Sequence, residues 1–165
     1  MNTCPGGKII AYCDGASHGS PGPAGAGVHL ECPYNNGVVT MSWPLGLQSS
    51  AEAEYEAIIL ALRVAHALGA YQLEIKTDHE SLAEQLRGTE GPRSEVLYRL
   101  WLEATILIKK FPAGDCCITW VPRAGLNNGQ ANELAGQAAG SNPEHVYAQL
   151  RENRRNGLAH ARSKG

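Results

Sequence analysis

The chain has 165 residues, a formal net charge of -2 and 43% hydrophobic residues, enough for one domain with a core that needs no staples. Its apolar runs fall short of the roughly 20 residues that cross a bilayer, so a soluble protein without membrane partners is expected. Five cysteines (Cys4, Cys13, Cys32, Cys116, Cys117) show neither CxxC nor Cys/His zinc spacing and follow no signal peptide; they are read as reduced thiols of a cytoplasmic protein.

The charge is unevenly spread. Residues 1–140 hold 9 Lys and Arg against 14 Asp and Glu, whereas residues 141–165 hold 5 against 2. An acidic body over 1–140 and a basic tail over 141–165 follow. The tail bases Arg151, Arg154, Arg155, Arg162 and Lys164 are either a solvated end or a contact for a phosphate backbone.

In chain order, KIIAYCDG is an apolar, β-branched run stopped by Asp14-Gly15, the pattern of a strand entering a turn. GASHGSPGPAGAG reads as a glycine and proline loop that returns into AGAGVHLEC as a second strand, and VVTMSW, after a turn from Pro33 to Gly37, makes a third, giving an antiparallel meander. Residues 51–68 then take the helical period, with Ser49 or Ser50 as N-cap and Gly69 as terminator. On that helix Glu52, Glu56 and Arg63 share a polar arc, while Glu54 falls among Tyr55, Ile58 and Leu62. A carboxylate there must be paired, protonated or bound to a metal.

YQLEIKTD reads as a strand with Asp78 at its exit, followed by helices at about 79–87 and 94–110, the strand DCCITWV, and a helix over about 128–140. The pattern permits a further helix over 142–155. Three antiparallel strands followed by alternating helices and strands imply a mixed sheet covered by helices. Asp14 and Asp78 then arrive at the carboxyl edge of the sheet, where ligands gather in α/β folds.

Three close carboxylates suit a hard divalent cation, and two such ions can activate water and stabilise a leaving oxygen in phosphoryl displacement. The plain structural alternatives are an Asp-Gly turn at Asp14, an N-cap at Asp78, and an ion pair of Glu54 with Arg123 or Lys76. His18 and His79 are read first as loop or cap residues.

CDGASHGSPGPAGAG, SSAEAEYEAIILAL, KTDHESL and ITWVPRAGLNNGQANELAGQAA together resemble, in order, the four signature blocks of the type 1 ribonuclease H family. The resemblance runs from about Lys8 to Ala139. It implies a ribonuclease H-like fold: a five-stranded mixed sheet, three antiparallel strands then two parallel, flanked by helices. It also implies a monomer that hydrolyses the RNA strand of RNA/DNA hybrids with two Mg2+ or Mn2+ ions, leaving 5'-phosphate and 3'-hydroxyl ends. By position, Asp14, Glu54 and Asp78 would be metal ligands and catalytic residues, with Asp14 bridging the ions.

The chain departs from the family pattern in three places. Asn132 stands at the fourth acid position, where an amide can ligate without bringing charge, so a weaker or altered second metal site is expected. The loop before the last helix has Arg123 where many members have a histidine; it is expected at phosphate or at the acids, or simply on the surface. The basic insertion is absent between Arg87 and Arg99, so Gly15, Ser17, Ser20, Ser49 and Ser50 are the expected substrate contacts beside Arg123. The opposing expectation is a catalytically silent module that binds hybrid or double-stranded RNA, silenced through Asn132. A transposase or junction-cutting nuclease shares the acids but lacks visible DNA-binding regions here.

Overall fold

The computed structural model describes residues 7–33 and 35–141. The elements follow as β1 (Lys8–Ser17), β2 (Gly22–Cys32), β3 (Gly37–Gln48), α1 (Ser50–Ala67), β4 (Gln72–Thr77), α2 (Glu80–Arg87), α3 (Glu95–Ile108), β5 (Cys116–Trp120) and α4 (Leu126–Ser141). They form one sheet of order β3-β2-β1-β4-β5. β1, β2 and β3 pair antiparallel, and β1, β4 and β5 pair parallel, as the sequence pattern predicts. No described helix is long and apolar enough to cross a membrane. The helix expected over 142–155 and the rest of the basic tail lie outside the described residues.

α1 begins where the sequence places it. Ser49 accepts from the Glu52 N–H, and the Glu52 side chain accepts from the Ser49 N–H at 3.2 Å, a reciprocal cap that satisfies two orphan donors. Its end is set by Gly69 at φ +76, with the Ala70 N–H returning to the Ala65 carbonyl. The inner stripe of Tyr55, Ile58, Leu62 and Ala65 is buried with Ile9, Ala11 and Cys13 of β1 and Val28 and Leu30 of β2. Each full-sized aliphatic buried there contributes roughly 1.5–3 kcal/mol.

The glycine-rich stretch after Asp14 is not the long loop expected. β1 continues through Ser17 and β2 resumes at Gly22, leaving a tight connection with a cis Ser20–Pro21 bond and a His18 N–H to Pro23 carbonyl hydrogen bond. The glycines already expected in the second strand have a packing role across the sheet. A Cβ at Gly25 would stand 2.3 Å from the Ala139 nitrogen, and one at Gly27 would stand 2.1 Å from the Ala131 carbonyl oxygen. These glycines let α4 lie directly on β2, with Ala131, Ala135, Ala138 and Ala139 buried beneath it.

The expectation of five reduced thiols also fails at one position. Cys13, Cys116 and Cys117 are free, but Cys32 is disulfide-bonded. Sequence spacing alone could not reveal this, because pairing depends on which chain ends the fold brings together.

Gly27→Ala should therefore destabilise the protein by at least about 2 kcal/mol in urea unfolding, since backbone atoms cannot yield to the added methyl. Gly136→Ala, at an α4 position with open space around it, should raise stability by about 0.5–1 kcal/mol in the same assay.

Candidate active site

β1 and β4 pair only as far as Tyr12 opposite Lys76. β1 runs on to Ser17, and β4 ends at Thr77. The two parallel strands therefore part just before Asp14 and Asp78, opening a crevice at their carboxyl ends. Asp14 is in register with Gly27 and Gly15 with Ala26, so these neighbours address opposite faces of the sheet. Asp14 does not start a turn; it is a buried residue inside β1.

Glu54 reaches this crevice from α1 because of Gly15. A Cβ at position 15 would stand 2.3 Å from the Glu54 nitrogen and 2.2 Å from the Ala53 carbonyl carbon, so helix and strand backbones touch there. One carboxylate oxygen from each of Asp14, Glu54 and Asp78 lies within 4.8 Å of the others. Asp14 is 1% exposed and Glu54 7%, and buried oxygens Asp14 Oδ1 and Glu54 Oε2 have no hydrogen-bond partner.

Such a cluster cannot carry three charges without a cation. Burial, followed by the Asp14 charge, pushes Glu54 up to about 10. Burial also raises Asp14, opposed by its contact with Glu54, by Arg123 and by the Gly15 N–H. The donor set is all oxygen, crowded, and short of partners, which fits hard divalent ions such as Mg2+ or Mn2+.

Asp78 is free for this role because it does not cap α2. The N-cap is His79, whose Nδ1 accepts from the Leu82 N–H at 3.2 Å. Its own N–H donates to Thr77 Oγ1 at 3.2 Å. The Trp120 indole donates to the Asp78 carbonyl at 3.3 Å and the Val121 N–H to the Thr77 carbonyl at 2.9 Å. Trp120 and Thr77 were missed in the sequence; the only signal was an aromatic at the end of a strand beside Val-Pro.

Arg123 pairs with Asp78 through Nε to Oδ2 at 3.0 Å, rather than with Glu54. Lys76, the other candidate partner for Glu54, lies over the Tyr12 ring at 5.4 Å. Asn132 is half-buried on α4, next to Ala131, whose carbonyl abuts Gly27 opposite Asp14. One turn earlier Asn128 is buried with both amide atoms unpartnered, another residue that the sequence analysis passed over.

The expected substrate contacts divide into tied and available groups. Ser17 Oγ lies 2.7 Å from both the Gln48 and the Gly19 carbonyl oxygens, with one proton to donate to either, and Ser49 caps α1. Ser20 and Ser50 are exposed. Gly15 is occupied by α1 on its Cα side, and its N–H faces the acids.

A five-stranded sheet of this order, with an acidic centre where β1 and β4 part, defines a ribonuclease H-like fold. The family described as reverse transcriptase-like matches residues 12–138. A crystal structure of RNase H1 from the archaeon Halobacterium salinarum superposes with a TM-score of 0.72 at 36% identity, covering 80% of this chain and 97% of that one. The amino-terminal RNase H domain of a Mycobacterium tuberculosis bifunctional protein gives 0.72 at 31% identity, covering 80% and 98%. An LC11 RNase H1 in complex with an RNA/DNA hybrid gives 0.68 at 26% identity, covering 79% and 96%. The chain belongs to the type 1 ribonuclease H family. Its match spans 65% of the full-length Halobacterium ribonuclease HI and 35% of the mycobacterial bifunctional protein.

The raised carboxyl groups carry a signed pH dependence. Their protonated forms support the metal-free fold fully below the ordinary carboxylate range, and that support is lost as pH rises toward about 10 for Glu54. In EDTA, the urea midpoint should fall between pH 5.5 and 8.5, with a slope of at most about 1.4 kcal/mol per pH unit for one group. Glu54→Gln should flatten that slope, and added Mg2+ should reverse it in the parent protein alone.

Proposed function

We propose that this chain is an endoribonuclease that hydrolyses the RNA strand of RNA/DNA hybrids, using divalent metal ions held by Asp14, Glu54 and Asp78. The observation that carries this is the convergence of three carboxylates within 4.8 Å, two of them buried with unpartnered oxygens, in a member of the type 1 ribonuclease H family. The complex of a related RNase H1 with an RNA/DNA hybrid supports the choice of substrate.

Two ions are proposed, which Asp14, Glu54, Asp78 and Asn132 would hold. Bound divalent ions supply Lewis-acid activation of water and neutralise charge on the phosphoryl group. The protein's part is positional. Asp14 sits within β1 and Asp78 just past the end of β4, the Gly15 contact brings the α1 backbone at Glu54 against β1, and the Thr77-His79 and Trp120 hydrogen bonds tie the Asp78 turn. Water adds to phosphorus and the bond to the 3'-oxygen breaks; that oxygen takes a proton, leaving 3'-hydroxyl and 5'-phosphate ends. Discrimination of RNA rests on the 2'-hydroxyl and groove shape, with exposed Ser20 and Ser50 and the Arg123 guanidinium as the groups at hand.

Asn132 introduces a neutral ligand where a carboxylate would add charge, which weakens hold on the second ion and favours Mn2+ over Mg2+.

A labelled RNA/DNA hybrid with Mg2+ or Mn2+ is the direct test. The parent chain should cut the RNA strand only with metal, and Asp14→Asn should lower the rate by more than about a hundredfold. A gel shift of intact hybrid without cleavage would replace this function with a silent binding module. Asn132→Asp should raise the Mg2+-supported rate by about tenfold and narrow the difference between the two metals.

A further inference from the structure

Among the described residues, the one ion pair at the acidic centre joins an exposed cation to an anion whose side chain is buried. Arg123 Nε stands 3.0 Å from Asp78 Oδ2, with the arginine side chain 72% exposed and the aspartate side chain 7% exposed. That asymmetry lets the guanidinium return to water once another cation takes its place on the carboxylate, which itself cannot reach water. The neighbouring lysines are engaged elsewhere: Lys8 pairs with Glu74 at 3.0 Å, and Lys76 lies over Tyr12.

We propose, building on the metal-binding role assigned above to the acids, that Arg123 is the centre's resident counter-cation, displaced from Asp78 by the incoming divalent ion and handed to a substrate phosphate. A guanidinium and a dication on one carboxylate repel each other at short range. The backbone around Arg123 need not move for the exchange, because Trp120 and Val121 anchor the start of its loop to the Thr77–Asp78 turn. Rotation of the side chain suffices, and a guanidinium fork at the lip of the crevice suits phosphate oxygens. Metal and arginine thus compete for one anion. A phosphate that takes the arginine strengthens metal binding, and by linkage metal strengthens phosphate binding.

Calorimetric titration of Mn2+ into the full chain, with Arg123→Ala, Arg123→Lys and Asp14→Asn alongside, tests the exchange. Arg123→Ala should bind Mn2+ alone about three- to tenfold more tightly than the parent, with Arg123→Lys returning toward the parent value. In the parent, the Arg123 Nε–H resonance should shift on addition of Mg2+ toward its position in Asp78→Asn. A non-cleavable hybrid with a 2'-O-methyl RNA strand should tighten Mn2+ binding more in the parent than in Arg123→Ala. Equal or weaker Mn2+ binding by Arg123→Ala would overturn the displacement, since it would make Arg123 a support for Asp78 instead of a competitor. Equal tightening by the hybrid in both proteins would overturn the handover. No Mn2+ binding by any form would overturn this proposal together with the metal-dependent function, whereas binding that is lost only in Asp14→Asn leaves that function standing whichever way the arginine variants fall.

Discussion

Desolvated like charge is the constraint from which the rest of this structure follows. Asp14, Glu54 and Asp78 are held within 4.8 Å of one another at a place where solvent reaches little of the first two. Apolar packing alone would drive the carboxylates apart or keep them protonated. They stay together because each is fixed by a different element, and none of those elements can relax independently. Burial raises the carboxyl groups of Asp14 and Glu54, and Arg123 pairs with Asp78.

Maintaining this geometry depends on residues without side chains as much as on the acids. Gly15 brings α1 into backbone contact with β1 and so sets the reach of Glu54. Gly25 and Gly27 do the same for α4 on the opposite face, where four alanines complete a small-residue seam. Glycine in strand interiors costs conformational entropy. Here close approach on both faces offsets that cost and fixes α4 against β2. Stability and chemistry therefore share the same contacts.

The acids were legible because each violates its surroundings. Glu54 interrupts an apolar helical stripe while Glu52 and Glu56 obey the polar arc, so helical geometry selects it. Asp78 was less secure, since an aspartate before a helix is most simply a cap; the structure gives that task to His79. The loop after Asp14 was read as longer than it is, because composition reports conformational freedom and close packing by the same residue. Only the partner elements, α1 and α4, tell the two apart. Cys32 was misread for a related reason, because pairing is a property of spatial neighbours. Trp120 and Asn128 left almost no trace, since a hydrogen bond to a main-chain carbonyl or a buried unpaired amide has no periodic signature.

Beyond the parallel strands, which the family resemblance implied, the sequence by itself determined the order of elements, the antiparallel meander and the three acids that break their local patterns. These rest on local quantities: hydrophobic period, cap chemistry, and the free-energy cost of a carboxylate in an apolar stripe. The tertiary structure alone decided that β1 and β4 part after Tyr12 and Lys76, that Gly15 admits Glu54 to the gap, and that Arg123 pairs with Asp78 instead of Glu54. Those outcomes are set by register, backbone separation and the direction of single side chains, which arise only when segments distant in the chain compete for the same space.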